Sequence, residues 1–404
     1  MKNGDNNNNN NNDKILGFDR NIFFAGVTSF FTDTGNKLLY SVMPLFLLSI
    51  GASKTSIALI EGIAESTAAF VKIISGRQSD KTGKKKPFLI AGYGAPAVIT
   101  PLYALAATPV GVLILRFLER IGKGLRAAPR DALISASAAG KDTGKSFGFH
   151  KAMDNSGAIV GPFIAFLLLS AFHSDFRTLF LIAAIPAVIG VLIVIFFIRE
   201  TATGAGSGQK QAPVAQYSFS ALPTRFRFFT VIVFVFTLGN SADALLLVRT
   251  TETGISETLV PLVYMIFNVV SVIVSIPVGK LSDKIGREKL ILAGFLIYAC
   301  CYFFFGYSND IRVFAVVFAF YGLYLALVDV SQRSLISDIV GKELKGTAYG
   351  IYYAALGIGL LPASLIAGLL YDRVSSGAPF FFGSGMSLIA ALLMFVFTIT
   401  GRRT

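Results

Sequence analysis

Charge is scarce in this 404-residue chain, where Asp, Glu, Lys and Arg make up 15% of residues against 54% apolar ones. Soluble domains usually carry about 25% charged and 45–50% apolar residues, so an assembly of water-soluble domains is excluded. Trp is absent and there are two Cys and two His. The adjacent Cys300 and Cys301 sit inside an apolar run, fit neither a disulfide framework nor metal-ligand spacing, and read as packing residues. With His150 and His173 alone, no metal-ligand set forms. Nucleophile motifs, phosphate-cradling glycine loops and Walker motifs are lacking too. An enzyme, a bound metal or cofactor, and ATP as energy source are therefore not expected.

Long apolar runs are abundant. Runs of membrane-spanning length, which need about 20 residues each, lie at 21–50, 57–75, 88–107, 110–136, 146–171, 179–198, 228–248, 258–278, 291–307, 313–337, 347–370 and 380–400. This divides the chain into a polar tail at 1–20, six spans at 21–198, a linker at 199–227 and six spans at 228–400. The tail holds an unbroken Asn run from Asn6 to Asn12 and no apolar core of a signal peptide, so it is expected to be disordered. Gly and Ser from Thr203 to Lys210 suit a flexible connection.

A net charge of +13 could point to nucleic acid, but the basic residues follow the spans. Placing both termini in the cytoplasm puts 22 Lys and Arg on that side against Lys54, Arg177, Arg249, Arg312 and Arg373 outside. That is the positive-inside pattern, and nucleic-acid binding is not expected.

The two sets of spans repeat one another. Gly76-Arg77-Gln78-Ser79-Asp80-Lys81-Thr82-Gly83-Lys84 follows the second span, and Gly279-Lys280-Leu281-Ser282-Asp283-Lys284-Ile285-Gly286-Arg287 follows the eighth. Gly157, Gly161 and Pro162 in the fifth span correspond to Gly357 and Pro362 in the eleventh, and Arg130 and Arg333 occupy matching ends of the fourth and tenth. Parallel repeats of this kind place a solute site between the halves near the bilayer midplane, reached alternately from each side.

Six plus six spans, a basic linker and the loop motif around Asp80 resemble the major facilitator superfamily over nearly the whole chain after the tail. The resemblance implies an all-α membrane fold of two homologous six-helix bundles, with spans one, four, seven and ten lining the cavity. Arg116-Phe117-Leu118-Glu119-Arg120-Ile121-Gly122 is similar to that superfamily's fourth-span motif, departing from it at Glu119 and Arg120. The Gly157, Gly161, Pro162 pattern resembles its antiporter motif, without the glycine pair that often follows. By resemblance, Asp80 and Asp283, with Arg77, Lys84 and Arg287 nearby, hold the inner side shut in the outward-facing state. Gly76, Gly83, Gly279 and Gly286 would allow tight backbone passage there. Paired glycines also permit close helix packing without any role in transport.

A charge inside a span is costly and usually faces a cavity or the bundle interior. Spans three, six, nine and twelve have none, as a lipid-facing set would. In the first span Asp33, Asn36 and Lys37 share a face, and in the second Glu61 and Glu65 do. At about 100° per residue, Arg116, Glu119, Arg120, Lys123, Arg126, Arg130 and Asp131 fall within an arc of roughly 140° on the fourth. His150 and Asp154 lie on the fifth, Asn240 and Asp243 on the seventh, Asn268 on the eighth, and Asp329 and Arg333 on the tenth. Asp33 is the first choice for a proton-coupling acid, because a buried acid beside cations changes its interactions sharply when neutralised. Glu65 is the second choice, followed by Glu61, His150 and Asp154. Glu61 and Glu65 fit buried structural ion pairs equally well, and His150 fits either a relay or a core hydrogen bond.

The expectation is a plasma-membrane secondary transporter, monomeric, moving a small solute with protons and running as an antiporter or exporter. Coupled uptake or facilitated diffusion of an anionic or zwitterionic metabolite is the alternative, and a lipid-handling protein a remote one.

Overall fold

The protein is described by a computed structural model covering residues 14–138, 143–172, 175–200, 222–341 and 344–400; the Asn run and most of the expected linker lie outside the described residues. Lys14–Ile15 (β1) pairs antiparallel with Phe18–Asp19 (β2), leading directly into α1. The first half then contains α1 Arg20–Ser49, α2 Lys54–Thr82, α3 Lys86–Leu102, α4 Pro109–Ser137, α5 Thr143–Ala171 and α6 Phe176–Phe197. The second contains α7 Thr224–Gly239, α8 Asp243–Thr251, α9 Val260–Ile285, α10 Arg287–Tyr307, α11 Ile311–Ile339, α12 Lys345–Arg373 and α13 Ala378–Thr400. The chain thus crosses the membrane twelve times, with α7 and α8 sharing one crossing.

Helix starts are set by short polar side chains that accept bonds from otherwise orphaned amides. Asp19, Ser53, Thr108, Asp175 and Asp310 cap α1, α2, α4, α6 and α11 in this way. Gly83, in the left-handed region at φ 66°, ends α2. Among the described residues nine segments are long and apolar enough to span a membrane by composition alone. The three crossings below that threshold, α1, α2 and α4, all carry charged side chains within the membrane. By contrast α3, α6, α10 and α13 pack on helices of their own half and carry exposed apolar residues such as Leu181, Leu192, Phe303 and Leu392 on their outer faces.

The halves meet mainly through α2 on α12 and α5 on α9. Ser66 Oγ donates to Gly357 O at 2.7 Å across the first of these seams, and Gly62 lies so close to Ser364 that a Cβ would come within 2.7 Å of it. α1 begins beside the end of α6, where Arg20 Nε donates to Phe197 O at 3.2 Å. The membrane side holding the helix ends Arg20, Phe197, Thr224 and Thr400 is called the terminal side below.

The core divides unevenly between the two sides. One buried cluster joins the halves through far-side residues, Leu38–Leu47, Ile57 and Val112 meeting Leu245, Val260 and Phe318, and within the second half it continues to Phe226, Leu335 and Phe397 near the terminal side. On the terminal side the first half has its own separate cluster around Ile22, Leu89, Tyr93 and Ile134, and Val278, Leu290, Ala326 and Leu327 form another in the second half. The apolar contact between the halves therefore lies on the far side; toward the terminal side Lys72 over the Tyr353 ring still joins α2 to α12, while the part-exposed Glu65, Lys123, Asp329 and Arg333 mark a cleft that opens toward the termini.

Candidate solute cleft

Four buried acids and bases tie α2 to α4 beneath the cleft wall. Arg116, 1% exposed, donates from Nε and Nη2 to the two oxygens of Glu61 at 2.8 and 3.0 Å, and from Nη1 to Glu119 at 2.9 Å. Tyr103 OH donates to the same Glu119 oxygen at 2.8 Å. Fork geometry of this kind favours Arg, because its planar donors match a carboxylate edge. One turn further along, Arg120 reaches Glu65 at 2.9 Å, and Lys123 approaches Glu65 at 3.4 Å. The ladder grades from sealed to wet: Glu61 is 2% exposed, whereas Glu65 and Lys123 are 38% and 44% exposed. Arg116 and Glu119, expected on the cavity wall, are instead enclosed behind it, and Glu61 is held by Arg116 on both oxygens. Glu65 and Lys123 border the open space, and Arg120 reaches Glu65 from behind them.

The second group joins α1 to α5. Any side chain on Gly157 or Gly161 would strike the α1 backbone, a Cβ at 157 meeting Phe30 O at 2.5 Å and one at 161 meeting Thr34 O. That close approach brings the carboxyl groups of Asp33 and Asp154 within hydrogen-bonding reach of each other. Two carboxyls can bond to each other only when one of them carries a proton. Arg126 lies 3.9 Å from Asp33 and stacks 4.6 Å over Tyr93, while Lys151 bonds Asp154 at 2.9 Å. His150 Nε2 and Ser29 Oγ are 2.7 Å apart, and Ser29 lies 3.4 Å from Tyr93 OH. The partner of His150 is thus Ser29 and not Asp154, and Asp33 does not take Lys37 as its ion pair. Pro162 continues α5 immediately after Gly161.

At the closed end of the cleft, Lys37 leaves its own half: Nζ donates to Tyr264 OH of α9 at 2.8 Å. The ammonium also lies 5.6 Å from the Tyr40 ring centre, and Arg116 lies 5.3 Å from it, so Tyr40 separates two cations. Opposite stands the break in the seventh crossing. α7 stops at Gly239, and Asn240, Ser241 and Ala242 pass outside helical geometry before Asp243 opens α8. Tyr298 OH donates to Gly239 O at 3.0 Å and approaches Asn240 Oδ1 at 3.3 Å, satisfying the break. Tyr321 OH donates to Asp243 Oδ1 at 2.7 Å. Behind it Tyr302 stacks on Tyr298, and Tyr324 packs edge-on to Tyr298 and tilted against Tyr321. Asn268, facing this region from α9, donates back to Tyr264 O at 2.7 Å. Nearer the mouth, Arg333 and Asp329 form a half-exposed pair at 2.6 Å.

The family model of the Major Facilitator Superfamily matches residues 25–250 and again 228–404. This chain belongs to the Major Facilitator Superfamily. An uncharacterised MFS-type transporter of Methanocaldococcus jannaschii is 32% identical over 381 residues, covering 93% of this chain and 94% of that one. A multi-drug resistance efflux pump homologue of Lactococcus lactis is 22% identical over 374 residues, covering 90% and 91%. Among solved structures, the nucleoside transporter NupG superposes with a TM-score of 0.78 at 12% identity, covering 93% of this chain and 99% of that one.

The superfamily's loop motifs fall at the terminal ends of α2 and α9. The side chains of Asp80 and Asp283 lie outside the described residues. Arg77 and Lys84 are exposed, and a Cβ on Gly76 would meet Ala128 at 3.1 Å, whereas none would meet a neighbour at Gly279. Gly286, at φ 92°, makes the turn into α10 that a side chain would strain. Arg287 pairs with Asp338 and donates to Ser334 O at 2.6 Å, fastening this transporter's α10 to the end of α11. The first-half amides at the start of α3 are capped by Glu200, which accepts from Lys85 N at 2.8 Å and Lys86 N at 3.0 Å. Sequence reasoning missed Glu200, the tyrosines at 264, 298 and 321, and the broken seventh crossing. Asn240, Ser241 and Asp243 inside one apolar run were the available signal, since breakers and caps cluster there.

Proposed function

We propose that this superfamily member is a proton-coupled exporter of a small solute, working by alternating access as a monomer in the plasma membrane. Halves 21–198 and 228–400 rock about the linker at 199–227, with both termini in the cytoplasm, so that the cleft described above faces the cytoplasm. The observation that carries the coupling is the facing Asp33 and Asp154 carboxyls at the α1–α5 contact beside that cleft. One proton bridges them. Losing it leaves two like charges in contact beside Arg126 and Lys151, a change large enough to bias a two-state equilibrium. Antiport follows if the cytoplasm-facing state releases that proton while the solute occupies the cleft, and the proton returns from outside in the opposite state. The glycine-mediated α1–α5 contact and the efflux pump among its relatives support export.

Proteoliposomes carrying a pH gradient and an internal pH dye test this reading, with solutes chosen for stabilising the purified protein. Wild-type protein should move protons when such a solute is added, and Asp33→Asn should move solute down its gradient without protons. Undiminished coupling in Asp33→Asn and in Asp154→Asn would sink the assignment.

A further inference from the structure

The cleft contains two charges that make no ion pair among the described residues. Lys37 donates to the neutral phenol of Tyr264, and no carboxylate lies within ion-pair distance of it among the described residues. Asp243 accepts from the neutral phenol of Tyr321 and likewise makes no ion pair there. They belong to different halves, both are half-buried, and each feels the field of the other across the floor of the cleft. Neither is free to swing over. Lys37 is held between the rings of Tyr40 and Tyr264, and Asp243 is fixed in the first turn of α8 by the break at Asn240–Ala242, where the helix start favours a negative charge.

Lys37 and Asp243 are part-exposed in the open cleft, and closing it would bury them further. A buried charge without a partner is strongly unfavourable, and each of these lacks one. A solute with a single charge would compensate one and strand the other. From this we infer that the transported solute is a zwitterion, or a molecule carrying separated anionic and cationic groups. Its anionic end meets Lys37 of the first half and its cationic end meets Asp243 of the second. Binding then bridges the two halves through the ligand itself, which is how a solute can favour the occluded state over the empty one. This inference rests on the transport reading above but not on its proton-coupling assignment.

Thermal unfolding of the detergent-purified full chain tests it with three matched probes: 6-aminohexanoate, hexanoate and hexylamine. Stabilisation grows with ligand concentration over affinity, so the midpoint shift reports binding. The zwitterion should raise the midpoint more than the two singly charged probes combined, and 4-aminobutyrate and 8-aminooctanoate then measure the span. Lys37→Gln and Asp243→Asn should each weaken the 6-aminohexanoate response at least about tenfold in concentration. Lys37→Arg, which keeps the charge, should retain it. Loss of folding in a variant shows as loss of the unfolding transition, so it is separated from loss of binding, and Lys37→Arg then carries the comparison. The inference is overturned if no aminoalkanoate outperforms hexanoate and hexylamine, or if the response survives in both neutralised variants. A normal zwitterion response with unaltered coupling in both Asp33→Asn and Asp154→Asn would leave this inference standing and remove the coupling assignment alone.

Discussion

Arg116 is surrounded by Glu61, Glu119 and the Tyr40 ring at 1% exposure, which makes it a structural keystone between α2 and α4. Removing it strands two buried carboxylates, so Arg116→Leu should lower stability by about 3–5 kcal/mol. Chemical unfolding in detergent reads this directly, and Arg116→Leu combined with Glu61→Leu should recover part of the loss, because apolar replacement of both partners leaves one fewer orphaned charge. Residue identities of this kind were legible in the chain because charges are so few among its spans. Their partners were not. Asp33 and Lys37 are spaced to pair along one helix, yet Asp33 faces Asp154 and Arg126, while Lys37 crosses to Tyr264. Side-chain reach over 227 positions of sequence separation is a property of packing that no local pattern encodes.

Element boundaries follow local chemistry, and the apolar runs alone placed most helix ends within a few residues. The seventh crossing escaped because hydropathy averaged over a whole span absorbs Asn240 and Ser241 into their apolar surroundings. Two element contacts carry predictions. Gly161 touches the α1 backbone at Thr34 O and Leu38 N, so Gly161→Leu should pry α5 from α1, separate Asp154 from Asp33, and abolish coupled flux in proteoliposomes while the purified protein still melts, at a lower temperature. On the far side, Asp372 at the end of α12 accepts from Lys54 N at 3.2 Å and Thr55 N at 2.8 Å, capping α2 of the opposite half. That contact joins the two halves on the far side. Asp372→Ala removes a cap with a typical value of about 1 kcal/mol and should shift the population about fivefold toward the state open on the far side, as spin-label distances across the Lys54 and Arg373 ends would record.

The whole molecule is a doubled bundle whose repeat was visible in the paired glycine and aspartate motifs. Which side stands open was not, since one set of residues must serve both states. In the structure the shared core joins the halves on the far side, and the first-half residues on the terminal side form a cluster of their own. With Cys300 and Cys301 replaced by Ser, Asp329→Cys at the mouth of the cleft should react with a membrane-impermeant maleimide added on the terminal side, and Ser41→Cys, fully buried in the sealed region, should not.

The central claim is that protonation of the Asp33 and Asp154 pair sets the balance between those two states, and it can be tested without knowing the solute. Spin labels on the terminal ends of α2 and α12 report the opening of the cleft by pulsed electron resonance, at acid and at alkaline pH. The account predicts two distance populations whose ratio changes with pH in the wild-type protein, and a ratio that no longer responds to pH in Asp33→Asn. A wild-type ratio indifferent to pH, or an Asp33→Asn ratio that shifts as the wild type does, would contradict it.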